Sequence, residues 1–205
     1  GPTVACIGPI TAVGSGRDGL LAGLRAARSP IRRATRFDPS QWRSHLAAEV
    51  DDFDPADFMD ARKVRRLDRF MHFAVATTRM ALADAGLDPA DVDPDTVAVQ
   101  FGSALGGVAY AEEQVVNLVQ GGKRAVDPRV ALTTFGGAAS CGVAIEFGFT
   151  GPNTTNAMSC ASGTIAIGEA FRLIRDGTSE MAVAGGVEAP LAPLSFRAFS
   201  LIRAM

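Results

Sequence analysis

The sequence predicts an α/β fold with a parallel or mixed sheet covered by helices on both faces. Two observations carry this. Short apolar runs bounded by glycines alternate with longer stretches of helical period, in the order strand, helix, strand, helix, strand, helix, strand. Hydrophobic residues make up 47% of the 205 and charged residues 20%, enough apolar material for a sizeable core.

Thr3 to Gly8 reads as a short buried strand, followed by a glycine-rich turn and a helix around Leu20, Leu21 and Leu24. Residues 29–62 hold many prolines and aspartates without a sustained period and read as a surface excursion. From Val64 to Ala85 the period is helical: Leu67, Phe70, Met71, Ala74, Thr78, Ala81 and Ala85 share one face, and Gly86 is the stop. After a loop over Pro89–Asp95, Thr96 to Ser103 is a strand. Two helices are expected over Ala109–Val119 and Val130–Phe147, the second with three internal glycines that close packing would retain. Thr154–Ser159 is a strand, Ala161–Asp176 a helix and Met181–Val187 a strand. On that last helix Ile167, Ala170, Phe171 and Ile174 are expected to face inward, with Glu169, Arg172 and Asp176 outward. The abrupt end at Met205 reads as that of a fragment.

The net charge of −2 argues against a general nucleic-acid binder. No apolar run is long enough to span a bilayer, and no secretory signal is visible. Three cysteines at unrelated spacings with two histidines make neither a disulfide framework nor a zinc site, and fit a reducing cytoplasm. No metal or cofactor is called for. GSALGG lacks the full spacing of a dinucleotide-binding turn.

Cys160 stands apart from Cys6 and Cys141, which lie in apolar segments and read as small buried hydrophobes. It lies where a strand meets a helix, among unpaired backbone N–H groups at the positive end of the helix dipole, a setting that favours thiolate. Ala161, Ser162 and Gly163 are small enough to let a thioester approach. The Cys160 N–H would point at the carbonyl oxygen under attack and supply half of an oxyanion hole.

SCASGT, a helix and then AVAGGVEAP closely resemble the active-site region of β-ketoacyl-acyl-carrier-protein synthases of the elongating, dimeric type. KVRRLDRFMHFAVATTRMALADAGL, FGSALGGV, FGFTGPNTTNAMSCASG and PLAPLSFRAFSLIRAM extend the resemblance, in order, over nearly the whole chain. It implies a thiolase-like layered fold (αβαβα) with two similar halves, residues 1–205 being the first. It implies Cys160 as the nucleophile of a decarboxylative condensation between an acyl group and malonyl-carrier protein. The two histidines and the lysine that drive decarboxylation would lie in the second half; His45 and His72 match neither histidine motif and read as solvated surface residues.

The resemblance also places Leu105 beside the end of an acyl tunnel, Val130 at a neighbouring subunit's pocket and Phe199 on a pocket wall; core packing is the alternative for each. The residue at the position of Val130 is often bulkier in the family, so valine would leave room for longer or branched chains. Arg62, Lys63, Arg65, Arg66, Lys123, Arg124 and Arg203 match basic positions that would orient an acidic acyl carrier protein, the alternative being a solvated helix start. The family pairs as homodimers through the strand before the nucleophile. A polyketide ketosynthase shares the cysteine motif. A non-catalytic chain-length partner typically lacks the cysteine, so Cys160 counts against that reading.

Overall fold

The computed structural model describes residues 1–205. Its centre is a three-stranded parallel sheet in which Val97–Gly102 lies between Asn153–Asn156 and Met181–Gly186. Around it, in chain order, come β1 (Ile10–Thr11), β2 (Gly14–Ser15), α1 (Gly16–Ala26), β3 (Ile31–Arg33) and β4 (Leu46–Ala48). Next are α2 (Ala61–Val64), α3 (Arg69–Ala85), β5 (Val97–Gly102), α4 (Val108–Gly121), α5 (Val130–Thr133) and α6 (Ala138–Phe147). The chain ends with β6 (Asn153–Asn156), α7 (Ser162–Arg175), β7 (Met181–Gly186) and α8 (Pro193–Leu201).

Every residue of β5 is buried. Its two faces differ because side chains alternate along a strand. Val97, Val99 and Phe101 join the main core with Phe70, Ala74 and Val75 of α3 and Ala139 and Val143 of α6. Gly102 points the other way, at the start of α7, and Ala98 and Gln100 share its face. Gln100 is satisfied there: its amide donates to the Pro152 carbonyl (3.2 Å) and its oxygen accepts from the Thr154 hydroxyl. β7 repeats the pattern. Met181 and Val183 pack on the main core, while Gly186 meets Gly163 of α7. The sheet therefore has a bulky face under α3 and α6 and a small-residue face under α7.

That small-residue face corrects the expected orientation of α7. Its buried residues are Ser162, Ala166 and Ala170. Ile167 and Phe171, expected inward, are 53% and 48% exposed. A sheet surface of alanine and glycine admits a helix only on its own small side, so the close approach of backbones decides the face.

Other expectations meet local corrections. Thr3–Gly8 belongs to none of the sheets, and Val4 is exposed; the Ile7 N–H donates instead to the Asp84 carboxylate of α3 (3.1 Å). The expected helix from Val64 divides into α2 and α3. Asp60 caps α2 by accepting from the N–H groups of Arg62 and Lys63, and Gly86 (φ 66°) ends α3 where expected. The 130–147 helix divides into α5 and α6 around Gly136 and Gly137, residues that weaken helix interiors. The 29–62 excursion is more ordered than expected. β3 and β4 pair antiparallel, and Ala34 and Ala47 pack with Phe196 of α8 in a satellite core edged by Phe37 and Trp42. Within it Glu49 is buried, accepting from the N–H groups of Thr35 (3.0 Å) and Arg36 (3.2 Å), the Thr35 hydroxyl (2.6 Å) and Arg32 (2.7 Å).

Candidate active site

The three parallel strands end at one level. Gly102 pairs with Asn156 on one side and Gly186 on the other. The loops that follow, at Ser103, Ala157 and Val187, leave the sheet together at the carboxyl ends of the strands, where open α/β sheets bind their ligands. Cys160 lies on one of these loops, four residues past Asn156, in a 3-10 turn (Ser159–Ala161) that runs directly into α7. It is exposed. Its backbone N–H engages no backbone or side-chain acceptor, whereas the next two N–H groups do: Ala161 donates to Met158 (3.2 Å) and Ser162 to Ser159.

Three features hold this loop. The Asn156 side chain donates to the Ser162 carbonyl (3.0 Å) and accepts from the Met158 N–H (3.3 Å), clasping the loop at both ends. Ser159 has φ 50°, in the left-handed region that costs a non-glycine residue roughly 1–3 kcal/mol. Glycines bring the start of α7 against the strand ends: a Cβ on Gly102 would lie 2.2 Å from the Ser162 carbonyl carbon, and one on Gly186 2.9 Å from Gly163 Cα. Strain beside Cys160 is thus held by packing beneath it.

The remaining thiols differ from Cys160 in different ways. Cys6 is half-buried, and burial and then the charge of Asp84 push its thiol up. Cys141 is exposed on α6, which corrects the expectation that it is buried.

Leu105 sits in the turn between β5 and α4 and Val130 opens α5. The structure brings these elements together: Gly107 N–H donates to the Thr134 carbonyl (3.2 Å), and Gly106 (φ 54°) lies against the same residue. α8, which carries Phe199, is tied to α4 by Glu112. That carboxylate accepts from the Leu194 and Ser195 N–H groups (2.8 and 2.9 Å) and the Ser195 hydroxyl (2.6 Å). Leu105 and Phe199 are 36% and 41% exposed. An apolar groove of ≈ 1060 Å³ is lined by α4 and the 188–194 segment, together with Phe37 and Phe73.

Of the basic residues, Arg62, Arg65 and Arg66 line an open cavity of ≈ 570 Å³, joined by Arg129. Arg129 was not singled out in the sequence. It stands 63 positions from the nearest of the other three, oriented by a bond from its Nε to Asp127 (2.7 Å); no local pattern links it to them. Lys63 turns away and, with Arg79, pairs with Glu146 (2.6 and 2.7 Å). Lys123, Arg124 and Arg203 are exposed outside this cavity, Lys123 and Arg124 on a 3-10 turn after α4 and Arg203 beyond α8.

Both histidines depart from the expected solvated surface positions. His72 is half-buried on α3 with Nε2 2.9 Å from the Val64 carbonyl oxygen; burial, and secondarily Arg69, pull its basicity down against that bond. His45 is half-buried with Nε2 shielded from solvent and without a partner. No cluster of three or more His, Cys, Asp or Glu side chains is placed to hold a metal ion, and no helix is long and apolar enough to cross a membrane.

Cys160 thus faces solvent beside the left-handed Ser159, at the carboxyl ends of the parallel strands and before a helix seated on glycines. The family description "Beta-ketoacyl synthase, N-terminal domain" matches residues 3–205. The chain belongs to the β-ketoacyl synthase family. This ketoacyl synthase domain is 36% identical over 202 residues to the 3-oxoacyl-[acyl-carrier-protein] synthase 2 of Synechocystis sp., covering 98% of the chain and 49% of that protein. It is 32% identical over 199 residues to the synthase of the same name from Coxiella burnetii, covering 97% of the chain and 48% of the relative. Among solved structures, the ishigamide ketosynthase/chain length factor superposes with a TM-score of 0.90 at 30% identity, over 97% of this chain and 50% of that one. A β-ketoacyl synthase from Burkholderia phymatum superposes with 0.83 at 29% identity, over 98% and 50%. The thiolase-like fold is thereby established, and the ketoacyl synthase domain spans about half the length of the relatives it matches.

Proposed function

We propose that this domain is the nucleophile-bearing half of a β-ketoacyl-acyl-carrier-protein synthase that elongates fatty acyl chains, with Cys160 as the acyl acceptor. The exposure of Cys160 between a clasped strand end and a helix start, with its own N–H free, is the observation that carries the reading. The sulfur attacks the thioester carbonyl of an acyl-carrier protein. A carbon–sulfur bond forms to Cys160, the bond to the carrier sulfur breaks, and the carrier leaves as its thiol with the proton that Cys160 gives up. The free Cys160 N–H donates to the oxygen that becomes negative on the way. Condensation then requires loss of carbon dioxide from malonyl-carrier protein and attack of the resulting carbanion on the Cys160-bound carbonyl. The histidines and lysine for that step belong to the second half that the family resemblance implies.

Leu105, Val130 and Phe199 would wall the acyl chain, and the cavity of Arg62, Arg65, Arg66 and Arg129 would receive the acidic carrier protein, with Lys123, Arg124 and Arg203 as outlying contacts. The name borne by the curated relatives supports the carrier protein as partner. The free edge of β6 supports a homodimer paired across that strand. The likeness to a ketosynthase/chain length factor favours a second reading, a polyketide ketosynthase, in which the chemistry at Cys160 is the same.

Intact-mass spectrometry after exposure to acyl-carrier protein tests the proposal. One acyl adduct should form and map to Cys160, and vanish in Cys160→Ser. Acylation of Cys141 instead, or none, would overturn it. Residues 1–205 alone should form the acyl-enzyme without condensing it with malonyl-carrier protein. Light scattering should report a dimer or larger species, and a stable monomer at micromolar concentration would refute the pairing.

A further inference from the structure

The Glu188 carboxylate, two residues past the end of β7, reaches across to the loop that follows β5. It accepts from the Ser103 hydroxyl (3.1 Å), the Ala104 N–H (2.7 Å) and the Leu105 N–H (3.3 Å to either oxygen). The buried Ser103 hydroxyl in turn accepts from the Gly106 N–H (3.1 Å), closing the turn on itself. The next residue, Gly107, is bonded to the end of α5. One side chain thus holds the Ser103–Leu105 loop, at the carboxyl edge of the sheet that also carries Cys160. The two partners are 83–85 residues apart in sequence. Charge-assisted bonds to backbone N–H groups are among the stronger ones a protein makes.

We infer that Glu188 is a positioning residue for the acyl chain: it fixes Leu105 at a set distance from the nucleophile and thereby sets the chain lengths that Cys160 accepts. The inference rests on the acyl-transfer reading above. Ala104 and Leu105 are exposed, so water can replace the lost acceptor in Glu188→Ala and the fold survives while the loop gains freedom. Glu188→Gln keeps one oxygen for the Ala104 N–H and is the conservative partial rescue.

Two probe series at Cys160 test this by mass spectrometry in wild type and both variants. One compares hexanoyl with palmitoyl thioesters of N-acetylcysteamine; the other compares N-methylmaleimide with N-octylmaleimide, which alkylates without acyl transfer. Glu188→Ala should shift the long-to-short rate ratio about tenfold in both series, the scale on which a pocket discriminates by size, with Glu188→Gln between. A carboxylate that served the fold alone would slow both probes of a pair alike and leave the ratios fixed. Unchanged ratios in both variants overturn the inference. Failure of either thioester to acylate wild-type Cys160 would instead remove the acyl-transfer reading, and the maleimide ratio would still decide the role of Glu188.

Discussion

Gly102→Ala probes the coupling between the sheet and Cys160 directly. An added Cβ would stand 2.2 and 2.3 Å from the carbonyl carbon and oxygen of Ser162 and 2.6 Å from the Gly163 nitrogen, all backbone atoms. No rotamer change relieves such a contact, so the start of α7 must retreat by about 1 Å, at the roughly 1–3 kcal/mol typical of overpacking. Cys160 is two residues before Ser162, so the sulfur and its N–H move with the helix start. A displacement of that size costs about a hundredfold in a reaction that depends on orientation. The assay pairs urea unfolding with the rate of acyl transfer from a short thioester to Cys160. Three other alanines grade the effect. Gly186→Ala meets Gly163 Cα at 2.9 Å and Gly163→Ala meets Gly186 Cα at 3.1 Å, so both should fall between wild type and Gly102→Ala. Gly168→Ala on the same helix meets nothing within 4 Å and should stabilise by about 0.5–1 kcal/mol with acyl transfer unchanged. Wild-type acyl transfer in Gly102→Ala, or an order of effects unrelated to those distances, would refute the argument.

Ser159→Gly should raise stability by about 0.5–1 kcal/mol in urea unfolding, because glycine adopts the φ of 50° without the side-chain penalty; no gain would mean the turn is not strained. Burial alone would raise the Glu49 carboxyl, but its bonds from Thr35, Arg32 and Arg36 outweigh this and hold it at about 2. A lowered folded-state value stabilises above the unfolded value of about 4.3, contributes about 2–3 kcal/mol at neutral pH, and is lost as pH falls from there through about 2. Glu49→Gln should therefore flatten the stability curve between about pH 5 and 2, and an unchanged acid limb in urea titrations would contradict the assignment. Ala166→Leu should destabilise by roughly 1–3 kcal/mol against the small face of the sheet, and Phe171→Ser by under about 1 kcal/mol. The reverse order would show that α7 buries its bulky side.

Local signals in the chain were enough for much of this. The stop of α3 at Gly86, the strand at Val97–Gly102 and the placing of Cys160 between a strand and a helix depend on residues within a few positions of each other. Their causes are periodicity, the conformational freedom of glycine and the ordering of turn residues, all properties of short segments. The motif around Cys160 carried the family for the same reason, since its small residues and its cysteine are contiguous.

What the sequence left open depends on partners distant along the chain. Hydrophobicity assigned Ile167 and Phe171 to the inside of α7 along with Ala170; only the glycines and alanines presented by β5 and β7 kept Ala170 there, turned Ala166 inward and left the two bulky residues exposed. Arg129 joined the arginines of the 62–66 segment, Lys63 left them for Glu146, and Glu188 closed on the Ser103–Leu105 turn across at least 83 residues. A helix face is chosen by the surface it meets, and a charge by the nearest group that satisfies it once water is excluded. Both are properties of the packed chain, which is why the local motif singled out Cys160 but tertiary structure alone decided what surrounds it.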